Sequence, residues 1–410
     1  MRRRTIFATA ATAAASSMLV ACKDDPKEVA WSEPGPSTSA QPAPGAAALT
    51  IAPAAGATGI SPAEPVVVTA VNATLKTVEV TSGGVAIAGE LDATQTTWRS
   101  TAPLGYNKSY QVKAVGAGAD GAAVEQTASF TTLKPTATAD ITLQVNAMTA
   151  MKDGGTYGVG QVVIAKFSKA PADRRAALGA IKVTSEPAVE GRWYWVDNRT
   201  AHYRPEKFWA KGTKISVAAN LVGANLGKGV YGKANRKISF TIGASRIAIA
   251  DDNTHYMRVL VDGVQVKNIA ISMGKEGSVV TDDGSRVYFP TRSGTHVVMT
   301  RERERTMSSA SYGVTNPDDP NYYTETIKLC CRISYSGEFV HSAPWSVWAQ
   351  GKRNVSHGCI NVAPSNAQWF YDNMRLGDPV IVKNTGRKQL IGDSAGAVWD
   401  VPWEKMIAEA

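Results

Sequence analysis

The sequence predicts a mainly β protein, with two antiparallel β-sandwiches in tandem, a third β-rich domain and a short C-terminal extension. Three observations predict it. Short runs of β-branched and aromatic residues recur from about residue 48, Gly, Asn and Asp punctuate them at turn spacing, and the first two β units show no long 3.6-residue apolar period. At 410 residues the chain has room for several domains, each able to bury a core of its own without disulfide staples.

The first sandwich is expected over residues 48–136. Its strands are read at Val66–Val71, Thr77–Val80 and Tyr110–Val115, with Trp98 as the large core aromatic. Asp120-Gly121 falls between two runs, where a hairpin needs residues that tolerate positive φ. Strands this short, with turns at this spacing, fit a sandwich of immunoglobulin type ending near Lys134-Pro135. A second sandwich is expected over 137–243, from strands at Val159–Phe167, Ile181–Thr184, Trp193–Val196, Ala201–Arg204, Ile215–Ala218 and Lys237–Ile242. With no paired cysteines between its sheets, it must rely on aromatic and β-branched packing. The expected role of the pair is that of a spacer, with Arg204 and Lys211 as surface side chains able to touch a glycan. The third domain, 244–385, opens with alternating runs meeting at Asp262-Gly263, a strong hairpin signal. The extension, 386–410, carries Trp399 and Trp403, whose indoles are costly to leave in water, so it is expected to dock rather than dangle.

The N-terminus speaks to the compartment. Met1-Arg2-Arg3-Arg4 is a basic leader, followed from Thr5 to Val20 by small and apolar residues of secretory length. Leu19-Val20-Ala21-Cys22 closes it as a lipobox, so residues 1–21 read as a lipoprotein signal peptide and Cys22 as the lipidated first residue. Residues 22–47, rich in Pro, Ala, Ser and Gly, cannot pack a core and read as a tether. No later run is long and apolar enough for a membrane helix, so the expected location is the outer face of the cytoplasmic membrane, held by lipid and facing the cell wall. The formal charge of +9 suits an acidic partner, but the cations are spread out and match no nucleic-acid fold signature, which argues against DNA or RNA.

Chemistry gathers late in the third domain. His341, Ser356-His357 and Cys359 stand close in sequence, and two of only five histidines lie just upstream of the cysteine. A thiol attacks as thiolate, and an imidazole nearby both lowers its pKa and carries the proton to a leaving amine. Gly358 permits a tight turn that aims main-chain N–H groups at a developing oxyanion, and the Asn361 amide can fix a substrate or a ring tautomer. A Cys two places from a His is also how a zinc site begins, although no further ligand pair completes four, and a buried inert cysteine is the bland alternative.

Ser356-His357-Gly358-Cys359-Ile360-Asn361, preceded by Phe339-Val340-His341-Ser342-Ala343-Pro344-Trp345-Ser346, resembles the L,D-transpeptidases of the YkuD type, in particular the lipoprotein enzymes of mycobacteria and other actinobacteria. The likeness extends through Tyr335–Phe339, the two upstream β units and the tryptophans of the tail. It implies that Cys359 is the nucleophile, His341 the general base and acid with its ring oriented by the Ser342 carbonyl, and His357 and Gly358 parts of the oxyanion site. It implies substrate contacts at Tyr323, Ser336, Gly337 and Asn361. The implied reaction takes an acyl group from the third residue of a tetrapeptide stem, expels the terminal D-alanine, and passes the acyl group to a second peptidoglycan stem as a 3→3 cross-link. It calls for no cofactor and no metal, and it implies acylation by carbapenems. Residues 301–323 resemble the family's lid, with Arg301-Glu302-Arg303-Glu304-Arg305 otherwise a solvated strand or loop. Adjacent Cys330 and Cys331 depart from the family pattern and are expected as packed thiols, since neighbours join only through a strained ring.

Overall fold

The computed structural model describes residues 45–408; the expected signal peptide, Cys22 and most of the expected tether lie outside the described residues. In the first region strand alternation sets the layers. Along Ser109–Gly118 the side chains of Tyr110, Val112 and Ala114 are buried while Ser109, Gln111 and Lys113 face solvent. One sheet orders Ala48–Ala52, Val67–Val71, Thr97–Ser100 and Gly89–Leu91; the other orders Val85–Ala86, Ala73–Ser82, Ser109–Gly118 and Ala123–Thr131. Trp98 is buried in their shared core with Leu75, Tyr110 and Phe130. Gly89 is required beside it, because a Cβ there would lie 2.0 Å from the indole. The hairpin at Asp120-Gly121 forms, with Gly121 at φ +80° and the Asp120 carboxylate accepting from the Ala122 N–H.

The second region also stacks two sheets, around Phe167, Trp193, Ile215 and Phe240. Five of its six expected strands appear close to their predicted positions, but Val159–Phe167 is strand only from Val163. The preceding apolar residues belong to a loop in which the Gly158 and Gly160 N–H groups donate to the Leu376 and Gly377 carbonyls of the third region. Strand Ile141–Asn146 and the short helix Arg174–Gly179, capped by Asp173, escaped the sequence reading. The tail supplies a strand: Ile407–Ala408 pairs with the edge strand Gly191–Trp195. Arg204 is not a surface residue. It is 2% exposed and donates to the Val398 and Val401 carbonyls of the tail at 3.0 and 2.6 Å, with its guanidinium over the Trp399 and Trp403 rings. Lys211 is exposed but paired to Asp262 at 2.6 Å. Trp399 and Trp403 therefore dock against the second sandwich, on a cation that the sequence suggested for glycan.

The third region is built on a nine-stranded mixed sheet ordered Gly294–Val297, Pro379–Lys383, Arg246–Asp251, Tyr256–Val261, Val264–Ser272, Ile360–Val362, Phe339–Ser342, Thr324–Arg332 and Thr300–Ser308. The Asp262-Gly263 hairpin has both residues at positive φ, +49° and +85°, as a two-residue turn of matching twist needs. Helix Pro364–Asn373 packs Ala367 and Phe370 onto one face of this sheet, against Val340, Ile360, Val362 and Cys331. Strand parity then sends Phe339, His341, Cys330, Cys359 and Asn361 to the opposite face. Residues 301–308 of the expected lid belong to the strand Thr300–Ser308 paired with Thr324–Arg332, so the loop portion is confined to 309–323.

Candidate active site

Cys359 sits immediately before strand Ile360–Val362, which runs parallel to Phe339–Ser342 with His341 opposite Asn361. Cys359 is two residues upstream of Asn361 on the same face, so it lies diagonally across from His341, at the spacing of diagonal neighbours in a sheet, about 7–8 Å between backbones. The half-buried thiol receives the Phe339 backbone N–H and donates to the Gly337 carbonyl at 3.7 Å. Burial pushes it up to about 12, helped by the nearby Glu338 carboxylate. The expectation that the imidazole lowers this pKa is not met at rest, because loss of hydration outweighs the neighbouring dipoles.

His341 is 3% exposed, and its Nδ1 is 2.9 Å from the Ser342 carbonyl oxygen. A carbonyl only accepts, so Nδ1 carries the hydrogen and Nε2 of the neutral ring is left as the base. Burial holds His341 down at about 4, which keeps it neutral at physiological pH. The pair therefore rests as thiol and imidazole, not as an ion pair.

The turn before the cysteine is fixed by hydroxyls. Ser356 Oγ donates to the Cys359 carbonyl at 2.7 Å and accepts the Gly358 N–H at 3.1 Å; Thr291 Oγ1 donates to the Gly358 carbonyl at 2.8 Å. Gly358 has φ +134°, a conformation only glycine adopts readily. Its own N–H is taken by the Ser356 hydroxyl, so any main-chain donor for an oxyanion lies elsewhere in the turn. His357 packs between Tyr323, stacked at 5.4 Å, and the edge of Phe289 at 4.8 Å, with Nε2 buried and without a partner. Burial first, then the Lys275 charge, lowers it to about 4. Tyr323 closes this side of the site from the end of the 309–323 loop.

The remaining expected contacts differ in character. Gly337, at φ +104°, presents its carbonyl to the thiol. Ser336 is exposed, but its hydroxyl donates to Asp393 at 2.7 Å and so is engaged within the protein. Asn361 is buried and donates to Ser346 Oγ at 3.0 Å, which turns its amide toward the His341 side of the sheet. Three polar residues that the sequence reading did not single out hold the site: Thr291, Glu338, whose Oε1 accepts the Arg292 N–H at 2.9 Å, and Asp393. Among the described residues no group of three His, Cys, Asp or Glu side chains gathers as a metal cluster. Cys330 and Cys331 are buried free thiols on opposite faces of one strand, Cys330 beside Phe339 and Cys359 and Cys331 in the main core.

Residues 245–382 match the model of the YkuD L,D-transpeptidase catalytic domain, and residues 57–225 that of a bacterial Ig domain. The chain is 42% identical to L,D-transpeptidase 2 of Mycobacterium tuberculosis (strain CDC 1551 / Oshkosh) over 358 residues, 87% of this chain and 83% of that protein. It is 31% identical to L,D-transpeptidase 5 of M. tuberculosis (strain H37Rv) over 414 residues, 99% of this chain and 84% of that protein. A solved L,D-transpeptidase from Mycobacterium smegmatis, 33% identical, covers 60% of this chain and 99% of its own with a TM-score of 0.46. With a relative this similar along most of both chains, and a cysteine and a histidine on one face of the matched domain's sheet, the chain belongs to the YkuD-type L,D-transpeptidases, the cross-linking acyltransferases of peptidoglycan.

Proposed function

We propose that the enzyme forms 3→3 cross-links through a thioester at Cys359, anchored by lipid at Cys22 on the outer face of the cytoplasmic membrane. The observation that carries the catalytic part is the His341 ring, neutral and with Nδ1 tied to the Ser342 carbonyl, on the same sheet face as the thiol. The donor is a tetrapeptide stem. As Cys359 Sγ attacks the carbonyl carbon of the third residue, its proton passes to His341 Nε2. The C–N bond then breaks, and His341 gives the proton to the departing D-alanine amine. The acceptor's side-chain amine attacks the thioester, losing a proton to His341 while the C–S bond breaks and Sγ is reprotonated. The resting thiol is some way from ionised, so it gains nucleophilicity only when a substrate brings the imidazole and thiol together, which suits an enzyme working where oxidants are abundant. Tyr323 and His357 line the donor side in this reading, and Gly337 and Ser342 hold the two reacting side chains through their carbonyls.

A β-lactam of the carbapenem class offers the same electrophilic carbonyl and is expected to acylate Cys359. The test is intact mass after incubation with disaccharide tetrapeptide, beside a Cys359→Ala chain. A Cys359-dependent thioester followed by a dimer joined between third residues supports the proposal. A thioester that ends only in tripeptide makes water the acceptor and the enzyme a carboxypeptidase, and absence of any adduct removes the mechanism.

A further inference from the structure

The turn that follows His341 carries apolar surface that the mechanism above does not use. Trp345, Val347 and Trp348 are 49%, 48% and 55% exposed. Singly exposed apolar residues are ordinary, but three within four positions beside a catalytic histidine are a patch. An indole left in water forgoes much of the burial that makes tryptophan a core residue, so the placement needs an occupant. The two rings are also held in place. The Trp345 ring stacks on His341 at 6.0 Å and 28°, the Trp348 Nε1 donates to the Trp345 carbonyl at 3.1 Å, and the Arg353 guanidinium lies 4.4 Å from the Trp348 ring centroid. Lys352 and Arg353 are exposed, and among the described residues neither pairs with a carboxylate. The result is a pre-set aromatic shelf with a cationic rim that starts at the catalytic base and runs outward.

We propose that this shelf binds the sugar of the acceptor strand, with the apolar face of a pyranose ring on the Trp348 indole and the Lys352–Arg353 rim meeting carboxylates of the same strand. This rests on the acyl-transfer reading above. The acceptor amine must reach His341 to lose its proton, and the Trp345 ring on His341 makes the shelf continuous with that approach. A pyranose presents a ring-sized patch of C–H bonds flanked by hydroxyls, which fits a flat, half-exposed indole better than a peptide strand does. No sheet edge or deep apolar pocket is present in this turn to take a peptide backbone. The cations suit a substrate whose stems and sugar ethers carry carboxylates.

The experiment compares acceptors with and without sugar. The unlipidated full chain is supplied with one tetrapeptide donor, and transfer is measured to a disaccharide tetrapeptide and to the same tetrapeptide lacking sugar. A stacking contact of this size predicts that the sugar lowers the acceptor KM by about fivefold to tenfold in the wild type. Trp348→Ala should abolish that preference, Trp348→Phe should keep most of it, and Arg353→Gln should weaken it by about twofold to threefold. An equal KM for the two acceptors in the wild type, or a preference that survives Trp348→Ala, overturns the proposal. So does loss of binding to phosphatidylglycerol vesicles in Trp348→Ala with the acceptor preference intact, because the shelf would then face a membrane. Failure of the underlying reading is told apart by mass: it shows as no thioester at Cys359 with either substrate, whereas failure of the shelf leaves the thioester in place.

Discussion

Replacing Asp393 tests whether the tail positions Cys359 or only decorates the domain. Its carboxylate accepts the Ser336 N–H at 2.8 Å and the Ser336 hydroxyl at 2.7 Å and pairs with Arg292, and its main-chain carbonyl accepts the Tyr335 N–H at 2.6 Å. The residue after Ser336 is Gly337, whose carbonyl takes the Cys359 thiol, so the tether acts one residue away from the reacting sulfur. The Arg292 and Asp393 side chains are only 10% and 12% exposed, which makes this a buried pair rather than a surface one. Removing one partner of such a pair costs about 3–5 kcal/mol, because the other charge is left uncompensated. Asn keeps an acceptor for the Ser336 N–H, so Asp393→Asn is expected to cost about 2–4 kcal/mol. Urea unfolding at pH 7 reads the stability, and the rate of Cys359 acylation, followed by mass, reads the position. A positioning role predicts a fall in kcat of about tenfold with donor KM nearly unchanged, since the loss falls on the reacting geometry rather than on substrate contacts. Pairing it with Arg292→Met should restore part of the stability but not the rate. A destabilisation under about 1 kcal/mol together with an unchanged acylation rate would refute the reasoning, because the tether would then be an ordinary surface contact.

Two further outcomes follow from the ionisations. His202, His341 and His357 are each held near 4 mainly by burial, whereas burial holds the Asp378 carboxyl up at about 7. Between pH 6.5 and 4 unfolding lets the three imidazoles take up protons while unfolded Asp378 gives one up, and the half-exposed His357 counts for less. Stability should therefore fall as the pH drops through this window, by about 1–2 kcal/mol per unit, and Asp378→Asn should steepen the fall by about one proton; urea unfolding at pH 7, 6 and 5 checks it, and a flat or rising stability contradicts it. In the second, a maleimide at pH 8 should label Cys359 alone among Cys330, Cys331 and Cys359, at least about a hundredfold more slowly than free cysteine because little thiolate is present. Cys330 and Cys331 should react only after unfolding, and labelling of three thiols in the native chain would show that the buried pair is accessible.

Local signals in the sequence were legible and long-range ones were not. The Asp262-Gly263 hairpin follows from two residues that accept positive φ between alternating runs, and both adopt it. Trp98 is a core residue because a lone large aromatic in a short strand has nowhere else to go. The run from Val159 misled because its apolar residues serve a loop that meets the third region through backbone hydrogen bonds, and composition does not distinguish that from a buried strand. Arg204 misled for a related reason: an arginine in a strand reads as surface until a tail almost two hundred residues away brings carbonyls and indoles to it. The Ser-His-Gly-Cys motif and the stretch around His341 pointed to a site by local pattern, whereas Asp393, Glu338 and Thr291 act on partners 57, 46 and 67 positions away and have no local pattern to betray them.

These long-range contacts change the reading of the second sandwich. As a spacer it would touch the catalytic domain through a linker and little else. Instead, the Gly158 and Gly160 N–H groups bind the Leu376 and Gly377 carbonyls, the Asn146 amide donates to the Met299 carbonyl at 2.8 Å, and the Ala147 N–H donates to the Tyr335 hydroxyl at 2.7 Å. The tail crosses between the two: Asp393 and Asp400 bind Ser336 and Thr295 of the catalytic domain, and Ile407–Ala408 completes a sheet of the sandwich. The Tyr335–Gly337 turn is thus held from the sandwich through Tyr335 and from the tail through Asp393, just upstream of the carbonyl that meets the thiol. Holding an active-site turn from two independent bodies is what keeps a reacting geometry within a fraction of an ångström. The second sandwich and the tail are therefore parts of the catalytic frame, and the first sandwich joins that frame through the Tyr106 hydroxyl, which donates to the Gly232 carbonyl and accepts the Gly223 N–H, both at 2.7 Å.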